Sequence, residues 1–253
     1  MRFFLEISYL GTAYHGWQKQ PNALAIQEIL EDRMGKLLGN GPIDLVGAGR
    51  TDAGVHARQL FAHFDRDAAL PSGFVHRLNA FLPADIAVKG VYEVAPNAHA
   101  RFDATGRTYE YHLVREKDPF REGLAYQFQG ELDFGAMNRA AASMLGYGNF
   151  KAFSRSKSDV KTYNCDLREA RWEEGDGVWV FTISADRFLR NMVRAVVGTL
   201  LEVGKGRLDA EGVKTIIKSQ DRSEAGVSVP AKGLYLTRIT YPDTLFLHGQ
   251  RNR

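Results

Sequence analysis

The chain has 253 residues, with 33 Lys and Arg against 30 Asp and Glu for a formal charge of +3, and is 44% apolar and 25% charged. That length can bury a large core as one domain or two closely packed halves, and the balance is ordinary for a soluble globular protein. A single cysteine, Cys165, excludes an intrachain disulfide and a cysteine-rich zinc site. No run approaches the ~18 apolar residues of a membrane span, so no membrane partner is expected.

Phe3, Leu5, Ile7 and Tyr9 alternate with other residues and predict a first strand rather than a leader peptide, an expectation of a cytoplasmic protein. The loop from Gly11 to Pro21 carries Tyr14, His15, Trp17, Gln18 and Gln20. Exposed aromatics and amides suit RNA contact, although a loop tryptophan more often plugs a core. Ile26, Ile29, Leu30, Arg33, Met34, Leu37 and Leu38 fall at helical spacing, with Gly39 as the stop. Strand-like runs at 44–46 and 59–64 then flank a glycine-rich loop. A short helix at 74–81 ends at Pro83 and leads to a strand at 86–94.

The second half repeats the order. A strand at 108–114 places Tyr109, Tyr111 and Leu113 on one face. Asp133 is the expected N-cap of a helix whose stripe is Phe134, Met137, Ala141, Met144 and Leu145. Runs at 167–173 and 178–184 predict a hairpin across Gly175-Asp176-Gly177. Helices at 188–203 and 210–219 and a strand at 234–241 close the chain. Each half therefore reads strand, helix, two strands, helix, strand. The expected class is α+β: two tandem ferredoxin-like (split β-α-β) halves, 1–104 and 105–253, with largely antiparallel sheets flanking a central cleft. The hinge is expected near 96–106.

Two stretches carry the chemistry. Gly47-Ala48-Gly49-Arg50-Thr51-Asp52-Ala53-Gly54-Val55-His56-Ala57 holds one carboxylate among small residues between two strands, where a site is readily built. It is no dinucleotide fingerprint, because the third glycine after Gly47 and Gly49 would fall at Asp52. The plainer alternative is an Asx-turn closed by Asp52 on its own backbone. The second stretch is Met192 to Leu201, apolar throughout except for Arg194, which predicts a buried helix carrying one charge. Arginine keeps its proton, and an unpaired buried charge costs several kcal/mol, so a carboxylate should face it. That partner is either a purely structural acid or Asp52, which the guanidinium would hold ionised. Basic residues gather at Lys151, Arg155, Lys157 and Lys161 against Asp159, and at Arg187, Arg190, Arg194, Lys205 and Arg207 with Arg251 and Arg253. That pattern suits a polyanion such as RNA, though a solvated face is the commoner meaning.

The motifs, in order, resemble those of the TruA-type tRNA pseudouridine synthases along nearly the whole chain. They are Gly16-Trp17-Gln18-Lys19-Gln20 with Gln27, then Gly49-Arg50-Thr51-Asp52-Ala53-Gly54-Val55-His56-Ala57, then Leu78-Asn79 with Leu82-Pro83-Ala84-Asp85-Ile86. Ala100-Arg101-Phe102, Arg107-Thr108-Tyr109-Glu110-Tyr111, Asn191-Met192-Val193-Arg194 with Val197-Gly198, and Pro230-Ala231-Lys232-Gly233-Leu234 complete the series. Departures at Ala48, Ala98, Asn149 and Val229 touch none of the matched catalytic positions.

The resemblance implies the pseudouridine synthase fold and isomerisation of uridine in the anticodon stem-loop of tRNA, around positions 38 to 40. It implies no cofactor and no metal, and a homodimer with tRNA across both subunits. It assigns Asp52, Tyr109 and Arg194 to catalysis and Arg50, Tyr109 and Leu234 to the uridine. Gln18, His56, Lys151, Arg155 and Arg190 are the expected RNA contacts. Two other classes compete: a catalytically silent RNA-binding protein, which would not need Asp52 and Arg194, and an aspartyl hydrolase, which favours Asp-x-Asp where this chain has Asp52-Ala53-Gly54.

Overall fold

A computed structural model describes residues 1–39, 41, 43–155 and 160–247. The chain forms two compact units, Met1–Thr105 joined by the segment from Leu236 onward, and Gly106–Tyr235.

The first unit contains β1 (Arg2–Tyr9), α1 (Ile26–Leu38), β2 (Val46–Gly47), β3 (His56–Asp65), α2 (Phe74–Phe81) and β4 (Ile86–Val94). β1 lies antiparallel between β3 and β4, pairing Leu5 with Ala62 on one side and with Val91 on the other. β2 pairs antiparallel with β3, Val46 opposite His63. This is the split β-α-β pattern predicted from the alternation of strands and helices. β1 departs from strict alternation, since Phe4 is as buried as Leu5. The reason is a second apolar layer from the end of the chain. Tyr241 meets Phe4 and Phe61 edge-on at 5.2 and 5.3 Å, and Phe246 meets Phe4 at 6.0 Å. Each such buried ring contributes about 1.5–3 kcal/mol.

The second unit contains β5 (Gly106–Val114), β6 (Tyr126–Gln127), α3 (Phe134–Ser143), β7 (Leu167–Gly175), β8 (Val178–Ala185), α4 (Met192–Gly204) and α5 (Ala210–Ser219). β8 lies antiparallel between β5 and β7, and the short β6 adds in parallel to β5. The β7–β8 hairpin turns at Asp176 and Gly177, both with positive φ (50° and 72°), as a tight two-residue turn requires. Asp133 caps α3 as expected, its Oδ1 accepting from Ala136 N–H at 2.8 Å. Phe134 then stacks flat on Trp179 at 3.5 Å, which fixes α3 on the sheet. α4 is shorter at its start than the predicted 188–203, because Asn191 takes a left-handed φ of 65° and the helix can begin only after it. The final strand, β9 (Leu234–Thr240), pairs with β3, and Gln59 Oε1 accepts from Ile239 N–H at 2.9 Å.

Candidate active site

In the first unit two loops lock together around Asp52. The turn itself closes through main chain, with Val55 N–H donating to Asp52 C=O at 3.1 Å. The loop from residue 10 to 25 then grips it. Trp17 N–H donates to Thr51 C=O at 3.3 Å and Gly54 N–H donates to Tyr14 C=O at 3.2 Å. The Tyr9 and Thr51 hydroxyls pair at 2.8 Å. The approach is so close that a Cβ on Gly16, whose φ is +91°, would sit 2.3 Å from the Thr51 carbonyl oxygen. A side chain at position 16 is therefore excluded twice, by conformation and by contact.

Further ties stiffen the assembly. The Tyr14 hydroxyl donates to Asp85 Oδ1 at 2.6 Å, and burial together with that carboxylate raises the phenol's pKa well above its ordinary value. Leu10 N–H donates to Asp85 C=O at 2.9 Å. Trp17 is 2% exposed and lies against Gly47, so it is the core plug that the sequence allowed rather than an RNA contact.

Sequence reasoning missed Glu31. Its carboxylate is buried on α1, where Oε1 accepts from Leu45 N–H at 3.1 Å and from Gln27 Nε2 at 2.9 Å. Gln27 also donates to Leu45 C=O at 2.8 Å and accepts from Lys19 N–H at 3.1 Å. One pair of side chains thus ties the 10–25 loop and the segment leading into β2 to the helix. The available signal was an acid spaced four residues from Gln27 and three from Met34, inside the apolar arc.

Asp52 itself is partly exposed, while Arg50 and Gln18 are exposed. His56, expected among the RNA contacts, is completely buried, and its Nδ1 accepts from Gly11 N–H at 3.0 Å. It holds the two loops together and has no surface to offer an RNA.

In the second unit Tyr109 is half-buried on β5, opposite Ile183 of β8, with its ring edge-on to Phe188 at 5.1 Å. Leu234 is 6% exposed at the start of β9. Arg194 corrects the expectation of full burial: it is only part-buried, whereas every other residue from Met192 to Leu201 is buried. Its Nε donates to Val229 C=O at 2.7 Å, and Val229 N–H returns a bond to Arg194 C=O at 3.2 Å. This fixes the plane of the guanidinium.

The segment from 222 to 229 is itself clamped. Asn191 Nδ2 donates to Ser228 Oγ at 2.6 Å, Arg222 reaches Ala225 C=O and Ser228 Oγ at 3.1 and 3.0 Å, and Gly226 N–H donates to Thr199 Oγ1 at 2.8 Å. The Asn191–Gly198 motif is thus a cradle for an incoming segment as much as a carrier of Arg194.

Of the basic clusters, Arg155 and Arg190 are brought together, with Arg155 N–H donating to Arg190 C=O at 3.0 Å, and both side chains are exposed along with that of Lys151. Lys205 and Arg207 instead share Glu202, at 2.7 and 3.3 Å, which cancels part of the second cluster. Lys157, Asp159, Arg251 and Arg253 lie outside the described residues. Cys165 is buried, and burial pushes its thiol up to about 12. A cavity of about 820 Å³ in this unit is lined by residues such as Asp133, Arg139, Lys205 and Asp209 and by none of the expected site residues. Among the described residues no helix is long and apolar enough to cross a membrane.

The sequence pattern that describes the tRNA pseudouridine synthases matches residues 7–103 and 140–242, across both units. With this fold, that match defines the class, and the chain belongs to the tRNA pseudouridine synthase family: it isomerises uridine to pseudouridine in tRNA. Among its relatives, a tRNA pseudouridine synthase A from Parabacteroides distasonis is 49% identical over 249 residues, 97% of this chain and 98% of that protein. One of the same name from Porphyromonas gingivalis is 51% identical over 251 residues, 97% of this chain and 99% of that protein. A third, from Bacteroides thetaiotaomicron, is 48% identical over 249 residues, 97% of this chain and 92% of that protein.

Proposed function

We propose that this enzyme acts on uridines of the anticodon stem-loop, around positions 38 to 40, and that Asp52 carries the reaction. The observation behind this assignment is the two-loop clasp. It holds a partly exposed carboxylate on a turn whose Thr51 and Asp52 carbonyls and Gly54 and Val55 N–H groups are engaged, the preorganisation that catalysis needs.

A stacked uridine is out of reach, so the target flips out, at a few kcal/mol of unstacking. Arg50, exposed two residues before Asp52, fills the vacated space and holds phosphate. Asp52 acts at the ribose, as nucleophile or as base. The bond from C1′ to N1 breaks, the uracil turns, C5 bonds to C1′, the C5 proton leaves, and N1 takes up a proton in its place. Atoms and oxidation state balance, and the sequence needs neither metal nor organic cofactor. Arg194 serves the same chemistry, its guanidinium plane already set by Val229. Tyr109 stacks on the uracil, Leu234 floors the base, and Gln18, Lys151, Arg155 and Arg190 meet RNA phosphates. The working form is a homodimer in the cytoplasm, with one tRNA spanning both subunits.

The test is to map pseudouridine in unmodified tRNA incubated with the pure protein. New pseudouridine confined to the anticodon stem-loop supports the assignment, and modification confined to another arm contradicts it.

A further inference from the structure

We propose that Phe102, with Arg101 beside it, is a stacking platform for an unpaired nucleobase of the tRNA, separate from the residues assigned to the reacting uridine. Phe102 is 75% exposed, yet it is anything but loose. Its ring lies 4.2 Å from that of His99, tilted by 35°, and His99 in turn meets buried His63 edge-on at 4.6 Å. The backbone beneath is pinned at each residue. His63 Nδ1 accepts from Ala100 N–H at 3.2 Å, and the Tyr241 hydroxyl donates to Ala100 C=O at 2.5 Å. His99 Nδ1 accepts from Arg101 N–H at 3.1 Å and Phe102 N–H at 3.4 Å, while Asp103 Oδ2 accepts from His99 N–H at 2.7 Å. A single exposed apolar residue on a protein surface is ordinary. An exposed ring resting on one imidazole that is itself braced edge-on by a second, over a turn held by several main-chain bonds, has had much of its ordering cost met in advance.

The local chemistry favours a nucleobase over an apolar protein partner. Arg101 is exposed, with its Cζ over the Phe102 ring at 5.8 Å from the centroid, so an aromatic ring and a guanidinium lie together at one point of the surface. That combination takes a base on the ring and the adjoining phosphate on the cation. The nearby acids do not oppose it. Asp65 is taken up by Arg2 at 2.7 Å and Asp103 by the His99 main chain. Burial first, and Arg2 next, lower the pKa of His99, which keeps the supporting ring neutral and suited to stacking at pH 7. The inference rests on tRNA being the substrate and on no role of Asp52.

The test compares wild type, Phe102→Leu, Phe102→Trp and Arg101→Gln in binding an unmodified tRNA transcript across a salt series, with sedimentation of each protein. Phe102→Leu is expected to weaken binding about 5- to 100-fold, the range for loss of one base–aromatic stack. The slope of log K against log salt should stay unchanged in that variant. Phe102→Trp should bind within about twofold of wild type, and Arg101→Gln should reduce the salt slope by about 1. Unweakened binding by Phe102→Leu would overturn the proposal. So would weakening accompanied by a changed oligomeric state, which would make the ring a subunit contact. A wild type that binds tRNA but forms no pseudouridine would sink the reaction scheme while leaving this binding comparison intact.

Discussion

His63 shows what one buried group imposes on the whole protein. It is 5% exposed, and its ring nitrogen is committed as an acceptor to Ala100. Burial foremost, then the neighbouring His99 and Arg2, push its pKa down to about 4, against the opposing pull of Asp65 and Asp103. The folded form therefore binds fewer protons than the unfolded form between pH 6.5 and about 4. The stabilisation is fully present above pH 6.5 and is lost as the pH falls toward 4. Urea unfolding should accordingly show an unfolding free energy that drops through that window, by roughly 1–2 kcal/mol after allowing for solvent screening. In His63→Asn, which can keep an acceptor toward Ala100, the drop should be smaller. An equal drop in the variant would assign the acid sensitivity elsewhere. Neither the burial of His63 nor that of His56 could be read in the sequence, because the groups that bury them come from distant segments. Asp52, by contrast, stood out through its small neighbours, Gly49, Ala53 and Gly54.

At the level of elements, periodicity was a good guide wherever a segment's own residues decide its structure. The helices Phe74–Phe81 and Ala210–Ser219 and the strand Ile86–Val94 have the bounds that their spacing and breakers predict. It failed where one backbone torsion or a remote segment decides. Residues 188–191 fit a helical pattern, but Asn191 turns left-handed and binds Ser228. Nothing local announces the strand β6 or the docking of 222–229 onto α4. Gly198 is the hinge of that docking, since a Cβ there would lie 1.9 Å from the Val227 carbonyl oxygen. Gly198→Ala must push the segment away and loosen the bonds of Thr199 to Gly226 and of Arg194 to Val229. Overpacking of this kind costs about 1–3 kcal/mol. A lower urea midpoint with an unchanged slope is expected, together with lower activity if Arg194 acts as assigned. Gly175→Ala, with nothing within 4 Å of the new carbon, serves as control and should stay within about 0.5 kcal/mol of wild type. Equal stability of Gly198→Ala and the control would mean that the segment is not seated as described.

For the molecule as a whole, the residues proposed for the reaction are spread over the two units. Asp52 and Arg50 lie on the clasped turn of the first, and Tyr109, Arg194 and Leu234 lie on β5, α4 and the start of β9 in the second. The motifs of both halves were legible because each is a short run of chemically demanding residues. The ties that support them were not, Glu31 and the Tyr14–Asp85 bond above all. Everything assigned to the other residues presupposes that Asp52 is the group that acts on the ribose. The most direct measurement is tritium release from tRNA labelled at uridine C5, for wild type and Asp52→Asn at matched tRNA occupancy. The substitution keeps the size of the side chain and the backbone clasp, so tRNA binding should persist. Release should fall by at least about 10³-fold, the scale on which loss of a nucleophile is felt. Equal release by the two proteins would contradict a catalytic Asp52 and, with it, the roles given to its neighbours.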